Sequence, residues 1–238
     1  MSDVLLKRLA GIHGTDKGWH GYLSTYDRYF SPIRDQSLKI LEIGIFKGGS
    51  LKMWKEYFPK SIIFGIDINN NNIFNENRII CKKANQGSRE DLQRIVNEIG
   101  DNIDIIIDDG SHIMNHQQIS LGFLFPFLRP NGFYVIEDIH TSFFEKKYGI
   151  NSERSNTTYW LLKNYQNKIS IESQHMTKEE NIYLKNNIKS CYLYERYEQQ
   201  QYDNRKKTTI AHIMGIISKN SNKSYDNKSY DNKSFKKL

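Results

Sequence analysis

Apolar runs that end on carboxylates recur along this chain, with helix-length segments between them. Leu38 to Ile43 carries Glu42, Ser61 to Ile66 runs into Asp67, Ile103 to Ile107 into Asp108-Asp109, and Phe133 to Ile136 into Glu137-Asp138. Strands that are apolar throughout and alternate with helices describe a parallel sheet covered on both faces. Ligands of such open sheets bind beyond the carboxyl ends of the strands, so the acidic residues converge on one edge. The expected helices are Gly49 to Tyr57, stopped by Pro59; Arg89 to Ile99, with Leu92, Ile95, Val96 and Ile99 at helical spacing; and Ile113 to Leu128. Arg78 to Lys82, Lys168 to Glu172 and Ser190 to Tyr197 complete a predicted α/β fold with a mostly parallel seven-stranded sheet. The last of these alternates Tyr with polar residues as an antiparallel hairpin does.

The net charge of +7 is concentrated at one end. Residues 203–238 hold nine Lys/Arg against three Asp, which leaves 25 basic and 24 acidic residues in the remaining 202. A balanced body has no general attraction for a polyanion, which argues against a nucleic-acid partner. The tail repeats Asn222-Lys223-Ser224-Tyr225-Asp226 at a period of five and is too poor in aliphatics to build a core. The expected division is an N-terminal cap over 1–37, the main α/β domain over 38–202 and a basic, disordered tail over 203–238. Within that tail Ile210 to Ile217 reads as a short helix docking on the domain or on a second subunit of a homo-oligomer. No apolar run spans a bilayer and no signal peptide is evident, so a cytoplasmic protein without membrane insertion is expected. Cys81 and Cys191 stand at no metal-ligand spacing and read as two reduced, buried thiols.

Gly44, Gly48 and Gly49 sit between a strand and a helix, where backbone approaches a ligand closely, but Phe46 breaks the dinucleotide fingerprint. The carboxylates Asp109, Glu137 and Asp138, gathered at adjacent strand ends, would repel one another without a cation, and hard oxygen donors select Mg²⁺, Ca²⁺ or Mn²⁺ over zinc. His112 stands close enough to take a proton from an alcohol, with His116 one turn further as a rival base. Capping of the following helix accounts equally well for Asp108, Ser111 and Asp138 taken singly. It does not account for Asp109 and Glu137 together.

A glycine loop followed by Asp67 is similar to the class I methyltransferase pattern. The resemblance narrows through Gly14-Thr15-Asp16-Lys17, His20-Gly21-Tyr22, Tyr26, Leu41 to Gly44, Gly48 to Leu51, Trp54, Gly65 to Asp67, Asn85-Gln86, Ile107 to His112 and Glu137 to Ser142. In that order and spacing, over roughly residues 11 to 200, these motifs resemble the metal-dependent sugar O-methyltransferases typified by macrocin and mycinamicin O-methyltransferases. The resemblance implies a Rossmann-like fold, S-adenosylmethionine and Mg²⁺ or Mn²⁺ as cofactors, and a sugar-containing small molecule as acceptor. It implies metal ligation by Asp109, Glu137 and Asp138, with His112 as base. It places Thr15, Asp16, Lys17, Glu42, Gly44, Asp67, Gln86 and Asp108 around the cofactor and Tyr22, Tyr26 and His140 near the acceptor. Asn85 departs from the family's Asp. The chain begins almost at the Gly14-Thr15 motif, whereas the macrolide enzymes carry a large domain before it, so the expected acceptor is a nucleotide-linked sugar or polysaccharide precursor. Two other readings remain at this point: a nucleic-acid methyltransferase with a basic arm, and a non-catalytic binding protein that keeps the fold.

Overall fold

The computed structural model describes residues 3–144, 154–169, 172–202 and 205–221. Its elements run α1 (Asp3–His13), α2 (Leu23–Phe30), β1 (Lys39–Ile43), α3 (Gly49–Tyr57), β2 (Ile62–Asp67), β3 (Asn75–Glu76), β4 (Ile79–Lys83), α4 (Arg89–Ile99), β5 (Ile103–Asp108), α5 (Met114–Leu124) and β6 (Leu128–Ile136). Then follow α6 (Thr158–Gln166), α7 (Lys178–Asn187), β7 (Ile188–Tyr202) and β8 (Arg205–Lys219). The strands form one sheet in the order β3-β4-β2-β1-β5-β6-β8-β7, with β4, β2, β1, β5 and β6 parallel. The α/β, mostly parallel expectation holds, with eight strands in place of seven. Two strands were not expected, β3, a two-residue antiparallel pairing on the edge of β4, and β8, while the strand expected at Lys168 to Glu172 is not among the described elements.

Period-two alternation divides the core between the two faces of the sheet. On one face Ile40, Ile63, Ile105, Ile107 and Val135 pack with Leu6, Tyr26, Phe30 and Trp54 from α1, α2 and α3. On the other, Leu41, Ile43, Ile66, Ile103, Ile106 and Ile136 meet Leu92, Ile95, Leu121 and Leu124 from α4 and α5. Each fully buried aliphatic contributes roughly 1.5–3 kcal/mol, and these strands bury both sides. The helices before residue 38 are thus part of the main core.

The C-terminal region departs from its expected form. Ile210 to Ile217 lies in β8, inserted antiparallel between β6 and β7. Ile213 and Ile217 enter one core, Met214 and Ile216 the other, a two-sided burial that suits a central strand and not a one-striped helix. Those four side chains are buried within their own sheet. Lys219, counted with the basic tail, buries its ammonium against the carbonyls of Pro126 (2.8 Å) and Leu128 (2.6 Å). The repeats at 222–235 lie outside the described residues. Lys168, Ile169 and Glu172 are not in a strand: α6 runs to Gln166, and Lys168 leaves it in the left-handed region at φ 57°. Among the described residues no helix is long and apolar enough to cross a membrane. Cys81 and Cys191 are free and buried.

Candidate active site

Strand parity decides where each acidic side chain goes. Glu42, Asp109 and Glu137 continue the rows of Ile40, Ile107 and Val135, so all three emerge on the α1–α3 face. Asp108 continues the row of Ile106 on the opposite face. There it is fully buried beneath α5, accepting from Ser120 Oγ at 2.7 Å and Gln86 Nε2 at 3.0 Å. It is a strut under the turn and does not line the cavity described below. Gln86 Oε1 accepts from Ser111 N at 2.7 Å, an approach that needs Gly110, where a Cβ would stand 2.0 Å from that oxygen. Both ends of the Gln86 amide are therefore committed to holding the Asp108–Ser111 turn.

On the α1–α3 face the three carboxylates close around one cation. Lys17, from a 3₁₀ turn over Asp16–Gly18, is fully buried, and its Nζ lies 3.1 Å from Glu42 Oε1, 2.8 Å from Glu137 Oε1 and in direct contact with Asp109 Oδ2. It stands at the centre of the acidic group. Tyr26 donates its hydroxyl to Glu137 Oε1 from a fully buried position. Burial pulls the Lys17 ammonium toward neutrality, but Asp109, Glu137 and Glu42 outweigh it and its pKa rises. Burial pushes Glu42 up to about 7, with Lys17 opposing and Asp109 adding to the rise. Glu137 rises well above the carboxylate range through burial and the Asp109 charge. One ammonium is shared among three carboxyls, and Glu137 Oε2 is buried without a hydrogen-bond partner.

Asp138 lies just beyond, at the turn after β6. It adopts φ 54° and His112 φ 57°, left-handed conformations that cost a non-glycine residue about 1–3 kcal/mol and gather at functional sites. Thr141 Oγ1 ties the two turns together by donating to the carbonyl of His112 at 3.0 Å. Asp138 Oδ1 accepts from Tyr22 Oη at 2.7 Å, and Oδ2 lies 3.7 Å from His112 Nε2. Burial raises this carboxyl, but His112, the Tyr22 hydroxyl, His20 and His140 together bring it below its usual range. Donor atoms of Asp109, His112 and Asp138 lie within 4.8 Å of one another, a spacing a single cation can gather. Tyr22 and Tyr26, expected beside an acceptor, are buried and orient the carboxylates from behind. His140 Nδ1 is 3.8 Å from Asp138 Oδ1.

A cavity of about 640 Å³ opens beside this group. Its walls bring together Thr15, Asp16, Gly44, Asp67 and Gln86 with Asp109 and His112. Asp67 Oδ2 accepts from the amides of Ile45 (2.9 Å) and Phe46 (3.2 Å), and Oδ1 from Asn69 N (2.8 Å). Burial raises the Asp67 carboxyl, but these donors win and hold it ionised. His116 also faces the cavity, with Ser111 Oγ 3.0 Å from its Nδ1. Two residues escaped the sequence reading as site members. His20 Nδ1 and His212 Nδ1 lie 3.7 and 4.0 Å from Asp138 Oδ1. The signal for His20 was its place in the His20-Gly21-Tyr22 motif; for His212, read as part of a tail, there was none.

No family model matches the chain. Curated relatives do. The 8-demethyl-8-alpha-L-rhamnosyl tetracenomycin-C 2'-O-methyltransferase of Streptomyces olivaceus is 39% identical over 166 residues, covering 65% of this chain and 44% of that protein. Mycinamicin VI 2''-O-methyltransferase of Micromonospora griseorubida is 37% identical over 187 residues, 74% of this chain and 46% of that one. Among solved structures, the MycE methyltransferase of the mycinamycin biosynthetic pathway, in complex with Mg and SAH, superposes with a TM-score of 0.70 at 32% identity, covering 93% of this chain and 56% of that chain. The chain spans less than half the length of these curated relatives. Over the part it shares with them it is similar in sequence and in fold to the sugar O-methyltransferases, and its sheet is that of a class I methyltransferase.

Proposed function

We propose that this chain transfers a methyl group from S-adenosylmethionine to a hydroxyl of a sugar, assisted by Mg²⁺ or Mn²⁺. The observation that carries the reading is that one cavity is lined by Gly44 and Asp67 together with Asp109 and His112. A methyl donor and an acceptor alcohol need that adjacency. The similar mycinamycin enzyme is described with Mg and SAH, which supports both cofactors.

Asp67 is suited to accept from the donor's ribose hydroxyls, with Thr15 and Asp16 beside it and the Gly44 backbone along its length. The residues fit a divalent cation: three carboxyls around one ammonium, a buried Glu137 oxygen without a hydrogen-bond partner, and donor atoms of Asp109, His112 and Asp138 within 4.8 Å of one another. Asp109, Glu137 and Asp138 would hold it. When bound, the sulfonium supplies an electrophilic methyl and the metal lowers the pKa of the acceptor hydroxyl. His112 Nε2 takes the hydroxyl proton, and Asp138 Oδ2 at 3.7 Å favours the imidazolium that results. The left-handed turn holds His112 at the cavity wall through the Thr141 bond. A sugar with two neighbouring hydroxyls, on a glycoside, polysaccharide or nucleotide carrier, presents the chelating pair such a centre prefers.

The test is transfer of isotope-labelled methyl to a panel of nucleotide-linked and glycosidic sugars, with mass spectrometry of the product. Transfer that EDTA abolishes and Mg²⁺ restores is expected, together with loss of transfer but retention of SAH binding in His112→Ala. Full turnover of metal-free protein would sink the metal role, and methylation of nucleic acid alone would replace the acceptor class.

A further inference from the structure

We propose that His20, His212 and the Oδ1 oxygen of Asp138, joined by His140, form a second cation site, one that takes a borderline metal such as Zn²⁺ or Co²⁺. The three imidazoles come from separate parts of the chain: the loop before α2, the turn after β6, and β8. Their Nδ1 atoms nevertheless point at one oxygen, at 3.7 Å (His20), 3.8 Å (His140) and 4.0 Å (His212). Donor atoms of His20, Asp138 and His212 lie within 4.8 Å of one another. His20 and His212 stack with ring centroids 4.3 Å apart, and His140 meets His212 edge-on at 5.2 Å. The Nδ1 atoms of His140 and His212 are buried and make no hydrogen bond. Nitrogens that converge on one carboxylate oxygen from beyond hydrogen-bond distance are what a ligand set looks like before its ion is bound.

The chemistry of this set differs from that of its neighbour. Imidazole nitrogens suit zinc, cobalt and nickel, whereas the carboxylates of Asp109 and Glu137 suit magnesium. Tetrahedral bonds of 2.0–2.1 Å to zinc separate neighbouring donors by about 3.4 Å, so the donors of His20, Asp138 and His212, within 4.8 Å of one another, need to close by at most about 1.4 Å. Asp138 can serve both places. Its Oδ2 faces His112 and the oxygen-rich group, while its Oδ1, with two lone pairs, faces the imidazoles and the Tyr22 hydroxyl. An ion there would tie the loop before α2 to β8 and to the turn after β6. This inference stands apart from methyl transfer, because a protein inactive on every sugar would still bind the ion.

The experiment uses the full chain freed of metal and then saturated with Mg²⁺, titrated with Co²⁺ by calorimetry and by visible absorption. One Co²⁺ per chain with a histidine-ligated spectrum is expected despite the Mg²⁺. His20→Ala with His212→Ala should weaken it on the order of 100-fold or more, since even groups behind the ligands are worth 10–100-fold. His20→Gln, which keeps a polar side chain, should weaken it as well and guards against misfolding of the double variant. Asp109→Asn, which damages only the oxygen-rich group, should leave it. Absence of Co²⁺ binding, or binding lost in Asp109→Asn and unchanged in the histidine variants, would overturn the proposal.

Discussion

Gly44 and Asp109 touch through their backbones: a Cβ on Gly44 would stand 2.1 Å from the carbonyl oxygen of Asp109. Gly44 also sits at φ 94°, and its amide donates to Ile66 O at 2.8 Å, so it cannot move aside without breaking the ladder between β1 and β2. The Gly44 loop and the turn after β5 are therefore one rigid piece. Gly44→Ala combines a left-handed residue with a backbone clash and should cost at least about 3 kcal/mol. Urea denaturation measures it; an unchanged midpoint would show that the loop relaxes freely.

Lys17 gives the second prediction. It is the cation among Glu42, Asp109 and Glu137, and removing one partner of a buried ionic group typically costs about 3–5 kcal/mol. Lys17→Gln should therefore melt well below the parent protein in EDTA. Added Mg²⁺ should raise the variant's melting temperature more than the parent's, because the unneutralised carboxylates gain more from the ion. Equal Mg²⁺ shifts in both would mean that Lys17 and the metal do not share these carboxylates.

Much of this arrangement was legible beforehand. The sheet, its helices and the strand-end carboxylates followed from apolar runs and helical spacing, because residues such as Ile105, Ile106 and Ile107 have no alternative to two-sided burial. Parity would also have separated Asp108 from Asp109, since it requires only that their side chains alternate. What could not be read was reach. A lysine near the N-terminus spans to carboxylates 25, 92 and 120 positions away by virtue of a long side chain and a fold-dependent path. His212 was hidden because charge at 203–238 masked the β-branched pattern of Ile210 to Ile217, whose partner strand is settled only by pairing with β6 and β7.

Glu42 makes stability depend on pH. Its carboxyl is pushed from 4.5 up to about 7 in the folded protein, chiefly by burial, and only the protonated form is comfortable there. A raised folded pKa contributes stability that is complete below the unfolded value and lost as pH rises through the folded one. In metal-free protein this contribution, roughly 3 kcal/mol, should fade between about pH 4.5 and 7. Glu42→Gln should flatten that decline. Denaturation midpoints across the range decide it, and parallel profiles for parent and variant would place the titration elsewhere.

Asp67 poses a sharper question, because two jobs compete for one carboxylate. It receives the amides of Ile45, Phe46 and Asn69 and the side chain of Asn72 (3.0 Å), which alone would justify it as the clamp of the glycine loop. It also faces the cavity, where ribose hydroxyls of the donor would meet it. Hydrogen bonds to a charged group are worth about 1.5–3 kcal/mol, so a carboxylate that holds the ribose sets SAH affinity by roughly 10- to 150-fold. Asp67→Ala loses both jobs. Asp67→Asn keeps an acceptor oxygen for the loop amides but loses the charge and presents a donor to the cavity. The expected result by calorimetry is a large loss of SAH binding in both variants, with ligand-free melting lowered much more in Asp67→Ala. If Asp67→Asn bound SAH like the parent protein, the residue would be the loop's clamp and nothing more.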